Sequence, residues 1–140
     1  MKPGRVYLVG AGPGDVSLIT VKGMEAIKRA EVILYDRLAN PKLLEFAPAD
    51  CELIYCGKLP DRHILRQEGI NALLVSKALE GKTVVRLKGG DPGVFGRVGE
   101  EATALADHQI PFDLVPGISS GLAAPLYAGI PVTHREYAES

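Results

Sequence analysis

Apolar runs of strand length alternate with segments of helical period along this chain of 140 residues. Such alternation predicts parallel strands joined by crossover helices, because a parallel pair needs a long connection. The predicted strands are residues 5–10, 31–35, 51–56, 83–88 and 112–115. The predicted helices are residues 20–30, 41–46, 67–80, 99–108 and 119–128. The sequence therefore predicts an α/β fold, a mostly parallel five-stranded sheet with helices on both faces.

Composition and charge narrow the class of protein. The net charge of −1 provides no global basic field for nucleic acid or an anionic membrane. The apolar runs are too short for a membrane span, and the first is too short for a signal peptide. Cys51 and Cys56 have the spacing of neither a redox pair nor a zinc site, which predicts two reduced thiols. We therefore expect a cytoplasmic protein with no nucleic-acid, membrane or metal partner.

The most informative segment is residues 84–97, VVRLKGGDPGVFGR. A strand pattern runs directly into two glycines, an aspartate and a proline, at the edge where open parallel sheets bind ligands. Arg86, Lys88 and Arg97 against Asp91 give this segment a local charge of +2. The pattern indicates a site for a polar ligand that carries acidic groups.

A second glycine-rich loop, VGAGPGD, spans residues 9–15 and follows the first predicted strand. It is close to the dinucleotide-binding pattern, and Asp36 lies where a ribose-binding acid would. However, Asp15 occupies the third glycine position and would repel a diphosphate, while Pro13 lacks an amide donor. The loop alone leaves open nicotinamide or flavin binding, another nucleoside ligand, or a tight turn.

The loops taken together are more specific, because all of them follow strands and should share one sheet edge. In these segments the chain resembles the tetrapyrrole methylase family, and the matching segments in order are residues 9–15, 35–38 (YDRL), 57–58, 84–97, 115–118 (VPGI) and 128–135 (AGIPVTHR). The YDRL segment favours the members that methylate uroporphyrinogen III over those acting on later corrin precursors, diphthamide or ribosomal RNA.

The resemblance implies a cofactor, a substrate and a set of site residues. The cofactor is S-adenosylmethionine, which leaves as S-adenosylhomocysteine, and the substrate is a tetrapyrrole whose methylation gives precorrin-2 for sirohaem and cobalamin. Asp36 would be the general base, or alternatively a residue that forms the turn at the end of the strand. Lys58 would be the proton donor, or alternatively an anchor for a substrate carboxylate. The implied cofactor-binding residues are Pro13, Gly89, Gly90, Asp91, Val94, Ser119 and Ser120, and the implied substrate-binding residues are Arg37 and Arg97.

The resemblance also implies how the domains are organised. Residues 1–130 would form the N-terminal α/β domain, and residues 131–140 a linker toward a C-terminal domain absent from this chain. We therefore expect little turnover from this chain alone, and a homodimer for the full-length enzyme. The rivals are a methyltransferase for another precorrin, a nicotinamide-binding oxidoreductase fragment that uses Gly10, Gly12 and Asp36, and a non-catalytic binding domain.

Overall fold

A computed structural model of the chain describes residues 2–57, 67–89 and 98–118. The strands are β1 (Val6–Gly10), β2 (Val32–Tyr35), β3 (Glu52–Tyr55), β4 (Val84–Lys88) and β5 (Phe112–Val115). The α-helices are α1 (Val21–Arg29), α2 (Gln67–Leu79) and α3 (Val98–Asp107), and two 3₁₀ helices span Val16–Leu18 and Pro41–Phe46. The five predicted strands are confirmed, as are the first four predicted helices, the second of them as a 3₁₀ helix. The helix predicted at residues 119–128 lies outside the described residues.

All strands belong to one sheet in the order β3-β2-β4-β1-β5. Every neighbouring pair is parallel, which confirms the predicted α/β class. Strand β4 is buried along its whole length, as expected of a central strand with helices on both sides.

The alternation of side chains along the strands builds two apolar cores, one on each face of the sheet. Helices α2 and α3 cover one face, where they pack on Val6, Leu8, Val32, Leu34 and Val84. Helix α1 and the 3₁₀ helix Pro41–Phe46 cover the other face, where they pack on Val9, Ile33, Val85 and Leu87. The prediction of helices on both faces is therefore confirmed.

Local signals in the sequence define the ends of two helices. The Thr20 hydroxyl accepts a hydrogen bond of 3.0 Å from the Gly23 N–H and caps α1. Gly81 follows α2 with a φ of +87°, a conformation that glycine adopts without steric cost.

Cys51 and Cys56 are both free cysteines. Burial raises the pKa of both thiols, with nearby carboxylates acting in the same direction on each. These surroundings keep both sulfurs protonated and unreactive at neutral pH.

Within the three described ranges, no helix is both long enough and apolar enough to cross a bilayer.

The chain changes direction across the sheet after β3. The segments that follow β1 and β2 cross over the α1 face, whereas α2 and α3, after β3 and β4, cross over the opposite face. Strand β4 lies between β2 and β1 in the sheet. The connection after β4 crosses one face, whereas the connections after β2 and β1 cross the other. Such a switch point opens a crevice at the carboxyl edge of the sheet, where ligands bind in open α/β folds.

Candidate functional site

The loop after β1 lies at the switch point and is fixed by two hydrogen bonds. The Ala11 N–H donates to the Lys88 carbonyl at 2.6 Å, which continues the β1–β4 pairing beyond the strand ends. The Asn40 side-chain amide donates to the Gly14 carbonyl at 2.6 Å and so joins this loop to the segment after β2. Pro13, a predicted cofactor-binding residue, is half-buried within the loop.

This loop does not open directly into α1, as the glycine-rich turn of a dinucleotide-binding fold does. The Asp15 carboxylate accepts hydrogen bonds from the Ser17 N–H at 2.9 Å and from its hydroxyl at 2.7 Å. It thereby caps the 3₁₀ helix Val16–Leu18, and α1 begins only at Val21. The geometry therefore disfavours the nicotinamide interpretation of this loop.

Asp36 follows β2 at the same edge and is held at two points. Its Oδ1 accepts a hydrogen bond of 2.9 Å from the Leu38 N–H, and its Oδ2 lies 3.9 Å from Arg86 Nη1. The side chain retains 23% of its exposure, which leaves the carboxylate accessible from the crevice. Arg37, beside it, is exposed.

Gly89 directly follows β4 and packs against the segment after β2. A Cβ at this position would stand 2.6 Å from the Leu38 Cβ and 3.1 Å from the Leu38 carbonyl oxygen. Such distances admit only a glycine without displacement of the neighbouring backbone. The close approach brings Gly89 next to the Asp36 segment, as the shared sheet edge predicted.

Beneath this edge lies a buried charge cluster, formed by Arg86, Lys88, Glu101 and Gln67. Glu101 is fully buried, and its Oε2 accepts hydrogen bonds from Arg86 Nε at 3.1 Å and from Gln67 Nε2 at 3.2 Å. Lys88 Nζ lies 3.2 Å from Glu101 Oε1 as an ion pair, without the alignment of a hydrogen bond. Burial lowers the pKa of Lys88, and Glu101 opposes that shift.

The cluster corrects the interpretation of the charges around β4. Arg86 and Lys88 were expected to leave a local excess of positive charge for an acidic ligand, yet each is only 5% exposed and pairs with Glu101. The sequence analysis missed Glu101 because it counted charge within one segment only. The signal was available, since Glu101 precedes the fully buried Leu105 by four residues and so shares its helix face.

The structure places Asp36 and Gly89 next to each other through Leu38, with exposed Arg37 beside Asp36. Hydrogen bonds of Ala11 and Gly14 join the loop that contains Pro13 to the same edge. The other predicted site residues lie outside the described residues and stay predictions: Lys58, Gly90, Asp91, Val94, Arg97, Ser119 and Ser120. The sequence analysis also missed Asn40, which joins two site loops. In the described part of the chain, no group of three or more His, Cys, Asp or Glu residues could hold a metal ion.

Comparison with known proteins finds a matching family model and similar relatives. Residues 5–140 match the family model described as Tetrapyrrole (Corrin/Porphyrin) Methylases. The chain is 72% identical over 140 residues to a uroporphyrinogen-III C-methyltransferase of Bacillus subtilis (strain 168), covering 100% of this chain and 29% of that protein. It is 66% identical over 137 residues to the Priestia megaterium protein of the same name, covering 98% of this chain and 58% of the relative.

A solved structure extends the comparison to three dimensions. The uroporphyrin-III C-methyl transferase of Thermus thermophilus, complexed with S-adenyl homocysteine, superposes with a TM-score of 0.79 at 49% identity. That alignment covers 98% of this chain and 57% of the other. The chain thus spans less than two thirds of the length of each of these relatives.

Proposed function

Since this chain belongs to the tetrapyrrole (corrin/porphyrin) methylase family, we propose that its complete gene product methylates ring carbons of uroporphyrinogen III with S-adenosylmethionine. The product would be precorrin-2, the precursor of sirohaem and cobalamin. The chain described above supplies the N-terminal part of the site. The observation that supports this most directly is the placement of Asp36, Gly89 and the loop that contains Pro13 at the switch point of the sheet.

The cofactor-binding residues are assigned from the family motifs and from this edge. Pro13 is half-buried beside Gly14, where a Cβ would meet nothing within 4 Å, and this open backbone suits the close approach of a nucleoside. Residues 90, 91, 94, 119 and 120 complete the proposed set, and Ser119 and Ser120 would contribute hydroxyl or amide groups. When bound, S-adenosylmethionine supplies an electrophilic methyl group on a sulfonium centre.

Asp36 is proposed as the general base. Methylation at a ring carbon releases a proton from the macrocycle, and a carboxylate at the crevice can accept it. The Leu38 N–H holds one oxygen of the Asp36 carboxylate, and its remaining exposure of 23% leaves it open to a ligand. Lys58 is proposed as the proton donor, and Arg37 and Arg97 as contacts for the substrate carboxylates.

Two further properties belong to the proposal. We assign the complete protein to the cytoplasm, which the two free cysteines support because thiols persist in reducing compartments. We also assign it a homodimeric state, which light scattering after size exclusion would measure.

The test is anaerobic incubation of the complete gene product with uroporphyrinogen III and S-adenosylmethionine, followed by mass spectrometry. Two added methyl groups are expected, with none from the 140-residue chain alone. Asp36→Asn should lower kcat by about 10²- to 10⁴-fold. The matched control is Asp113→Asn, which also removes a carboxylate. Asp113 pairs at 3.1 Å with Arg5, which precedes β1 and so lies at the opposite edge of the sheet from Asp36.

Calorimetry separates the rival functions. S-adenosylhomocysteine should bind the complete protein, whereas NAD should not. Binding of NAD alone would establish the oxidoreductase alternative, and methylation of a precorrin but not of uroporphyrinogen III would reassign the substrate. An unchanged kcat in Asp36→Asn would remove Asp36 from the chemistry.

A further inference from the structure

The buried charge cluster connects the proposed base to α2 and α3, the helices that cover one face of the sheet. Asp36 belongs to the segment after β2, Arg86 to β4, Glu101 to α3 and Gln67 to α2. Ion pairs of 3.9 Å and 3.1 Å run in series from Asp36 through the Arg86 guanidinium to Glu101. The cluster is therefore continuous with the crevice.

Arg86 is largely buried, and two of its nitrogens are engaged by described residues. Its side chain is 6% exposed, and its Nε donates to Glu101 while its Nη1 donates weakly to the Leu87 carbonyl at 3.4 Å. The same Nη1 faces Asp36 Oδ2. A planar guanidinium with fixed donors can hold two carboxylates in one relative orientation, which an ammonium cannot do.

Among the described residues, the Asp36 carboxylate makes one hydrogen bond and one ion pair. Its Oδ1 is fixed by the Leu38 N–H at 2.9 Å, but that single bond leaves rotation about it free. The Arg86 guanidinium, 3.9 Å from the other oxygen, attracts that oxygen and so favours one orientation of the carboxylate. We propose that Arg86 is a positioning residue that orients Asp36 for proton abstraction, and that Glu101 holds Arg86 in place. This proposal rests on the proposed function, in which Asp36 is the base.

Lys88 provides the matched comparison. It lies two residues along the same strand, is 5% exposed like Arg86, and pairs with the same Glu101 at 3.2 Å. Among the described residues it makes no ion pair with Asp36. Loss of either cation therefore disturbs the buried charges, but only loss of Arg86 removes a contact to the proposed base.

The experiment is a pair of double-mutant cycles on the complete gene product, with kcat for methyl transfer and calorimetric Kd for S-adenosylhomocysteine as readouts. Arg86→Gln should lower kcat by about 10- to 100-fold, because a base displaced by a fraction of an ångström loses alignment. It should change the Kd by no more than about twofold. In the Asp36→Asn background, Arg86→Gln should lower kcat by no more than about twofold further, since the residue that it positions is gone.

Arg86→Lys is included in case Arg86→Gln does not fold. It keeps the buried charge but not the guanidinium fork, so the same dependence on Asp36 is expected. The second cycle combines Lys88→Gln with Asp36→Asn. The fold reduction in kcat of the double variant should equal the product of the two single reductions, because Lys88 does not act through Asp36.

The outcomes separate the two proposals. If the effects of Arg86 and Asp36 variants on kcat multiply, or if Lys88→Gln depends on Asp36 to the same degree, the positioning role of Arg86 is overturned. If Asp36→Asn leaves kcat unchanged while methyl transfer persists, the assignment of the base fails and the positioning role fails with it. If the wild-type protein transfers no methyl group, the proposed function itself is wrong.

Discussion

Glu101→Gln should destabilise the chain more than the loss of any exposed ion pair. Glu101 is fully buried and faces two cations, Arg86 at 3.1 Å and Lys88 at 3.2 Å. At an effective dielectric constant of about 20, each contact corresponds to about 5 kcal/mol of Coulomb attraction, much of it offset by desolvation. Glutamine keeps the size of the side chain and can still accept from Gln67, so the change isolates the charge. We expect a loss of about 3–5 kcal/mol in the free energy of unfolding.

Urea denaturation of the chain, followed by circular dichroism, measures this loss. The control is Glu52→Gln, which also breaks a Glu–Lys pair, with Lys77 at 2.9 Å, but at a side chain that is 46% exposed. Its expected cost is at most about 1 kcal/mol. The double variant Glu101→Gln/Lys88→Met should recover at least about 1 kcal/mol, because it removes a buried cation left without its carboxylate. Equal losses for Glu101→Gln and Glu52→Gln would refute the reasoning.

Three further predictions concern neighbouring contacts. Because burial lowers the pKa of Lys88, the folded state binds fewer protons than the unfolded state below the ordinary lysine pKa of about 10.4. The stability of the wild type relative to Lys88→Met should therefore rise as the pH increases toward that value, and a flat difference in denaturation free energy would contradict it. Gly89→Ala should cost about 1–3 kcal/mol, because the new Cβ would meet the Leu38 Cβ at 2.6 Å; Leu38→Gly should relieve part of this cost in thermal unfolding, whereas independent effects would argue against the contact. Asn40→Ala should cost about 1 kcal/mol and speed amide hydrogen exchange in the loop that contains Gly14, since Asn40 donates to the Gly14 carbonyl and also caps a 3₁₀ helix; unchanged exchange there would show that the two loops are not joined in solution.

The sheet was predictable because its signals are local. Strand β1 is apolar and ends in glycine, and β4 is rich in valine and leucine and is followed by glycine. The helices between them begin and end at ordinary capping residues such as Thr20 and Gly81. The edge that carries Asp36 and Gly89 followed from the parallel arrangement alone, because the carboxyl ends of parallel strands share one side.

The buried charges were not predictable in the same way. Arg86 could face either a ligand or a carboxylate of the protein, depending on which residue of α3 packs over β4. No local pattern in β4 or in α3 predicts that Arg86 pairs with Glu101. The 3₁₀ helix Val16–Leu18 was missed for a different reason. It is stabilised by a capping hydrogen bond that the Asp15 carboxylate accepts from the Ser17 N–H. The sequence analysis had interpreted Asp15 only as a charge that would repel a diphosphate.

Glu101 contacts the first residue of α2 and the last residue of β4, while it lies itself in the first turns of α3. The points where the chain re-enters regular structure after residues 58–66 and 90–97 are thus fastened to one carboxylate. A change at this one carboxylate would therefore be felt at three separate places along the chain: the start of α2, the end of β4 and the start of α3.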